Sequence, residues 1–75
     1  MKLQLAHYST ITEHFTRLTN SHCEFVQDLK TLYLKVNGSV YKASRFAPEI
    51  EKNSSVDELI ELYISILEDK LHSNA

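Results

Sequence analysis

The sequence predicts a single α+β domain over residues 1–75, ordered β-α-β-β-α, with a small sheet of about three strands and two helices packed on one face. Three observations carry that prediction. Asn37-Gly38 joins two β-rich runs, an apolar stripe at helical spacing precedes them, and a second helical stripe follows a capping box at Ser55.

Residues 1–8 alternate, with Met1, Leu3, Leu5 and His7 on one face and Lys2, Gln4, Ala6 and Tyr8 on the other. That period fits a half-buried strand. From Ile11 the spacing becomes Ile11, Phe15, Leu18, His22, Phe25, Val26 and Leu29, the stripe of an amphipathic helix. Thr10 with Glu13 fits a capping box at its start. Ser21 with Glu24 repeats the pattern and marks an alternative break near Thr19-Asn20, but the stripe keeps its phase through the junction and favours one helix.

TLYLKV, Asn37-Gly38 and SVYKAS then read as a β-hairpin with a type I′ turn. Pairing Val36 with Ser39 sets Leu34 opposite Tyr41 and Leu32 opposite Ala43 on one face. Tyr33, Lys35, Val40 and Lys42 take the other. Pro48 closes the second strand, and APEIEKN reads as a connection. Ser55 and Glu58 open the last helix, apolar at Val56, Leu59, Ile60, Leu62, Tyr63, Ile64, Ile66, Leu67 and Leu71. The run IELYISI also suits a strand, which stands as the alternative there. One helix lying on a small sheet needs only a stripe of about 100°. The surplus apolar surface implies a second contact, and a homodimer through this helix supplies it.

Composition narrows the function classes. The chain is 43% hydrophobic and 24% charged, too apolar and evenly charged for disorder. A single cysteine, Cys23, excludes an internal disulfide and a four-cysteine zinc site, and is read as a buried or idle thiol in a reducing compartment. No apolar run reaches the length of a membrane span and the N-terminus lacks a signal peptide's apolar stretch, so a cytoplasmic protein is expected. Charge is uneven. Residues 1–48 carry six basic and three acidic side chains, residues 49–75 two basic and seven acidic ones. The acidic half coincides with the last helix, where Asp57, Glu58, Glu61, Glu68 and Asp69 form either a solvated edge or a surface for a basic protein partner. No Lys/Arg cluster favours nucleic acid.

No constellation points to an enzyme. The four histidines, His7, His14, His22 and His72, lack metal-ligand spacing, and Gly38, the single glycine, excludes a glycine-rich phosphate loop. No cofactor or metal is expected. His14 is the candidate of interest, because a histidine in the first turn of a helix, with Thr16 and Arg17 following, sits where backbone N–H groups hold an anion.

His14-Phe15-Thr16-Arg17, the hairpin TLYLKVNGSVYKA, Ser44 and the closing helix together resemble the HPr family, the histidine-containing phosphocarriers of the bacterial sugar phosphotransferase system. The resemblance covers about residues 1–46. It implies a phosphoryl group on His14, anion contacts from Thr16 and Arg17, and a regulatory role for Ser44. Arg17 follows the histidine by three residues rather than two, Leu18 stands where the family has proline, and the segment after Ser44 is short for the family's remaining elements. The order of elements and the acidic last helix also resemble the DinI family of small bacterial regulators. The expected function is a non-enzymatic interaction or regulatory protein docking on a protein partner. The alternatives are a working phosphocarrier and an unrelated DinI-like module.

Overall fold

The computed structural model describes residues 3–73. Its elements are α1 (Leu5–Thr19), β1 (Cys23–Gln27), β2 (Thr31–Val36), β3 (Ser39–Ser44), α2 (Pro48–Asn53) and α3 (Val56–Ser73). The three strands form one antiparallel meander in the order β1-β2-β3. The α+β class, the three-stranded sheet and the packing of two long helices against one sheet face match the sequence expectation.

The hairpin forms in the expected register. Val36 faces Ser39, Leu34 faces Tyr41 and Leu32 faces Ala43. Asn37 and Gly38 both have positive φ, 49° and 93°, the backbone that a type I′ turn demands and that matches the twist of the flanking strands. The capping box before α3 also forms. Ser55 N–H donates to Glu58 Oε1 (3.0 Å) and Glu58 N–H donates to Ser55 Oγ (3.1 Å). IELYISI is helical, so the strand alternative there does not hold.

The N-terminal half is arranged differently. The expected first strand is helix from Leu5 onward, with Met1 and Lys2 outside the described residues. Alternation misled because Leu5, one of its apolar positions, is 79% exposed, whereas Tyr8, Ile11 and Phe15 lie on one helical face against the core. The cap is Gln4, whose N–H donates to His7 Nδ1 (2.9 Å), and Thr10 and Glu13 sit inside the helix. The long helix expected to run to Leu29 stops at Thr19, where Asn20 adopts the left-handed conformation (φ 53°).

Residues 23–27 are therefore a strand. Cys23, Phe25 and Gln27 point inward at period two, while Val26 and Leu29, which completed the helical stripe, are 50% and 86% exposed. Five residues are too few for the two periods to be told apart on Phe25 alone. The connection after Ala47 is a short helix, α2, with Pro48 in its first turn, where proline's missing N–H costs nothing.

The core lies between the helices and the inner sheet face. Ile11 and Phe15 of α1 and Leu59, Tyr63 and Leu67 of α3 pack with Cys23, Phe25, Leu32, Leu34 and Ala43. Phe25 ties the layers together, edge-on to Tyr8 of α1 (5.2 Å) and tilted against Tyr63 of α3 (6.2 Å).

Candidate functional site

His14 and the acidic helix, separate candidates in the sequence, meet in the structure. His14 lies in the third turn of α1 and turns toward α3, where its Nε2–H donates to Glu68 Oε1 at 2.6 Å. The first-turn placement of His14 is thus corrected, because α1 begins at Leu5. The backbone N–H groups around His14 are consumed by the helix and offer nothing to an anion. Thr16 spends its hydroxyl on the Thr12 carbonyl (2.9 Å), and Arg17 is 82% exposed, 3.9 Å from Glu13 one turn back.

Thr10, Glu13, His14, Arg17, Leu18 and Ile64 line an open groove of about 470 Å³ between α1 and α3. It carries charges of both signs, Glu13 and Arg17, and Glu68 holds the His14 ring at its wall. A phosphoryl dianion on His14 Nε2 would displace the Glu68 contact and sit beside a carboxylate, an unfavourable arrangement at hydrogen-bond range. Ser44, the last residue of β3, is exposed on the sheet face away from the helices and is not brought to His14.

The acidic residues divide by role. Glu58 caps its own helix and Glu68 holds His14. Asp57, Glu61 and Asp69 are exposed on the outer side of α3, opposite the buried Leu59, Tyr63 and Leu67, and form no ion pair among the described residues. The three define a charged edge on a helix whose other side is anchored in the core.

The strongest polar constellation was not foreseen. Arg45, just past β3, grips Glu51 of α2 with both arms of its guanidinium, Nη2 to Oε1 at 2.5 Å and Nε to Oε2 at 3.3 Å. Tyr63 Oη of α3 donates to Glu51 Oε2 at 2.6 Å, and Arg45 Nη1 donates to the Asp28 carbonyl at 2.9 Å. Arg45 and Glu51 side chains are only 13% and 15% exposed. Burial pushes the Glu51 carboxyl up, but the hydrogen bonds from Arg45 and Tyr63 outweigh it and hold the group below the ordinary carboxylate value. Burial, then the hydrogen bond to Glu51, pushes the Tyr63 phenol up to about 12. These shifts favour a locked structural network rather than proton transfer near neutrality. No local sequence signal marks this network; Phe46 stacks on Tyr63 (5.9 Å, 5° between planes) and fixes the ring that reaches Glu51.

Cys23 is buried, within 3.4 Å of the Thr19 hydroxyl. His22, expected on the buried stripe, is exposed, because the residue before β1 no longer belongs to a helix. Among the described residues no three His, Cys, Asp or Glu side chains converge into a metal site, and no helix is long and apolar enough to cross a membrane. No family model, no curated protein and no solved structure matches the chain.

Proposed function

We propose that this chain is a small non-enzymatic interaction protein that docks on a protein partner through the outer edge of α3. One observation carries the reading: Asp57, Glu61 and Asp69 are held exposed in one row by a helix whose back is locked into the core. A rigid, pre-ordered row of carboxylates binds a basic protein surface without first losing the entropy of ordering it. The likeness of the front half to HPr adds no second docking surface to this reading, in which His14 serves the α1–α3 contact rather than carrying a phosphoryl group. The unpaired thiol of Cys23 suits a cytoplasmic setting, where it stays reduced. Self-association through α3 belongs to the same reading, because Ile60, Ile64 and Leu71 remain only partly buried.

The test compares the immobilised chain with its Asp57→Asn, Glu61→Gln, Asp69→Asn variant in pull-downs at low salt. Loss in the variant of a discrete protein that the parent retains is the expected result. Identical captures would leave α3 a merely solvated face. A parallel incubation with a phosphoenolpyruvate-driven phosphotransferase system is expected to give no acid-labile label. A label that disappears in His14→Ala would replace this reading with a phosphocarrier.

A further inference from the structure

The sheet has an edge at β1 and an edge at β3, and the hydrogen-bond ladder fixes which backbone groups each presents. In an antiparallel pair, alternate residues turn both N–H and C=O toward the partner strand, and the residues between turn theirs away. Asn37 N–H donates to the His22 carbonyl (2.9 Å) and Asp28 N–H to the Thr31 carbonyl (3.0 Å), so Cys23, Phe25 and Gln27 face the outer edge of β1. Those residues are buried, and that edge is closed. Arg45 N–H donates to the Lys30 carbonyl (3.0 Å), in phase with the Val36–Ser39 pair at the turn, so Val40, Lys42 and Ser44 face the outer edge of β3. All of them are exposed, and no other backbone group bonds to that edge among the described residues.

We infer that the open edge of β3 takes up an extended acidic segment of a partner protein as an added strand. This surface is separate from the α3 edge and opposite to it in charge. Main-chain pairing supplies the attachment in this mode of binding, and side chains beside the edge select the sequence. Lys42 stands in the middle of the edge and forms no ion pair among the described residues, its ammonium lying 5.9 Å over the Tyr33 ring. Lys35, directly across from Val40 on the same outer face, forms none either. The one carboxylate that the strands turn to this face, Glu24, sits on β1, with β2 between it and the edge. Glutamates of an added strand would lie opposite or diagonal to Lys42, within reach of its side chain. A second copy is disfavoured at the same place. Antiparallel registers that pair most of β3 with itself set Lys42 opposite or diagonal to its own mate, like charge against like charge.

The probe is a short capped peptide alternating valine and glutamate, added to the isotope-labelled full chain up to about 1 mM and followed by amide shifts and amide exchange in NMR. In the free chain the N–H groups of Val40, Lys42 and Ser44 are expected to exchange fast, and those of Tyr41 and Ala43 slowly. The peptide is expected to protect Val40, Lys42 and Ser44. The same peptide N-methylated at alternate residues, along the side that would pair, keeps its charges but lacks the donors, and is expected to give no protection. Lys42→Glu is expected to weaken binding of the glutamate peptide about tenfold or more, and to bind a valine–lysine peptide instead. Lys42 is exposed, so folding survives the change, as unaltered amide shifts in the core would verify. No protection at about 1 mM peptide overturns the inference, and so does equal protection by the N-methylated peptide. Protection of the same amides that grows with the chain's own concentration overturns it too, by giving the edge to a second copy. None of these results touches the α3 docking edge, which the pull-down reads independently.

Discussion

Tyr63 Oη donates a 2.6 Å hydrogen bond to Glu51 Oε2, joining the centre of α3 to a six-residue helix that has no fully buried residue. The bond explains how α2 is held. Glu51 is gripped from the other side by Arg45, whose third contact reaches the Asp28 carbonyl beyond β1. Arg45 and Tyr63 thus converge on one carboxylate, and Arg45 ties it to the segment after β1.

Tyr63→Phe keeps the ring between Phe25 and Phe46 and removes only the hydroxyl. Hydrogen bonds to charged groups contribute about 1.5–3 kcal/mol, so a loss of about 2 kcal/mol in urea unfolding is expected. Arg45→Met leaves the Glu51 carboxylate nearly buried without its counter-charge and is expected to lose about 3 kcal/mol or more. Arg45→Met with Glu51→Met removes both charges together and should recover much of that loss. If the two single effects simply add, the pair is not coupled.

The same network makes stability depend on pH at both extremes. Glu51 lies below its ordinary value of 4.5 in the folded chain, so the unfolded chain binds its proton more readily. Its contribution is complete above the ordinary value and is lost as pH falls through the lowered folded value. Tyr63 moves oppositely, from 10.0 up to about 12, so its contribution is complete below 10 and is lost as pH rises toward 12. Urea midpoints measured across both ranges are expected to fall at each end, and Tyr63→Phe should flatten the alkaline limb. An unchanged alkaline limb in that variant would rule out Tyr63 as its source.

Gln27 is the one buried polar residue of the inner sheet face, 6% exposed, and neither its amide oxygen nor its nitrogen finds a protein partner among the described residues. An unmatched buried amide costs about 1–3 kcal/mol in desolvation. Gln27→Met, close in volume, is therefore expected to stabilise the fold by about 1 kcal/mol in the same assay. Destabilisation would show that the amide has a partner in solution.

Gly38 has room for a side chain, since nothing lies within 4 Å of an added Cβ, but its φ of 93° disfavours one. Gly38→Ala is expected to lose about 1 kcal/mol through backbone strain alone, with no clash. Retention of the β2–β3 register in amide exchange would separate strain from a re-formed turn.

The sequence by itself determined the elements whose signals are local. Asn37-Gly38 demanded positive φ at two successive residues, so turn and register followed together, and Ser55 with Glu58 closed a cap across a single turn. It also showed the acidic character of α3 and singled out His14, without saying that Glu68 would answer that histidine. Tertiary structure decided the rest. Phe25 satisfies a helical and an extended period equally, and only the free edge of β2 chose the second by pairing Glu24 with Lys35 and Val26 with Tyr33. With residues 23–27 in the sheet, α1 ends at Thr19; its start at Leu5, capped by Gln4 and His7, places His14 at a helix–helix contact rather than at a helix N-terminus. Arg45, Glu51 and Tyr63 were beyond any local reading. Six and twelve residues separate the partners from Glu51, and their chemistry is expressed only where burial strengthens the charges they share.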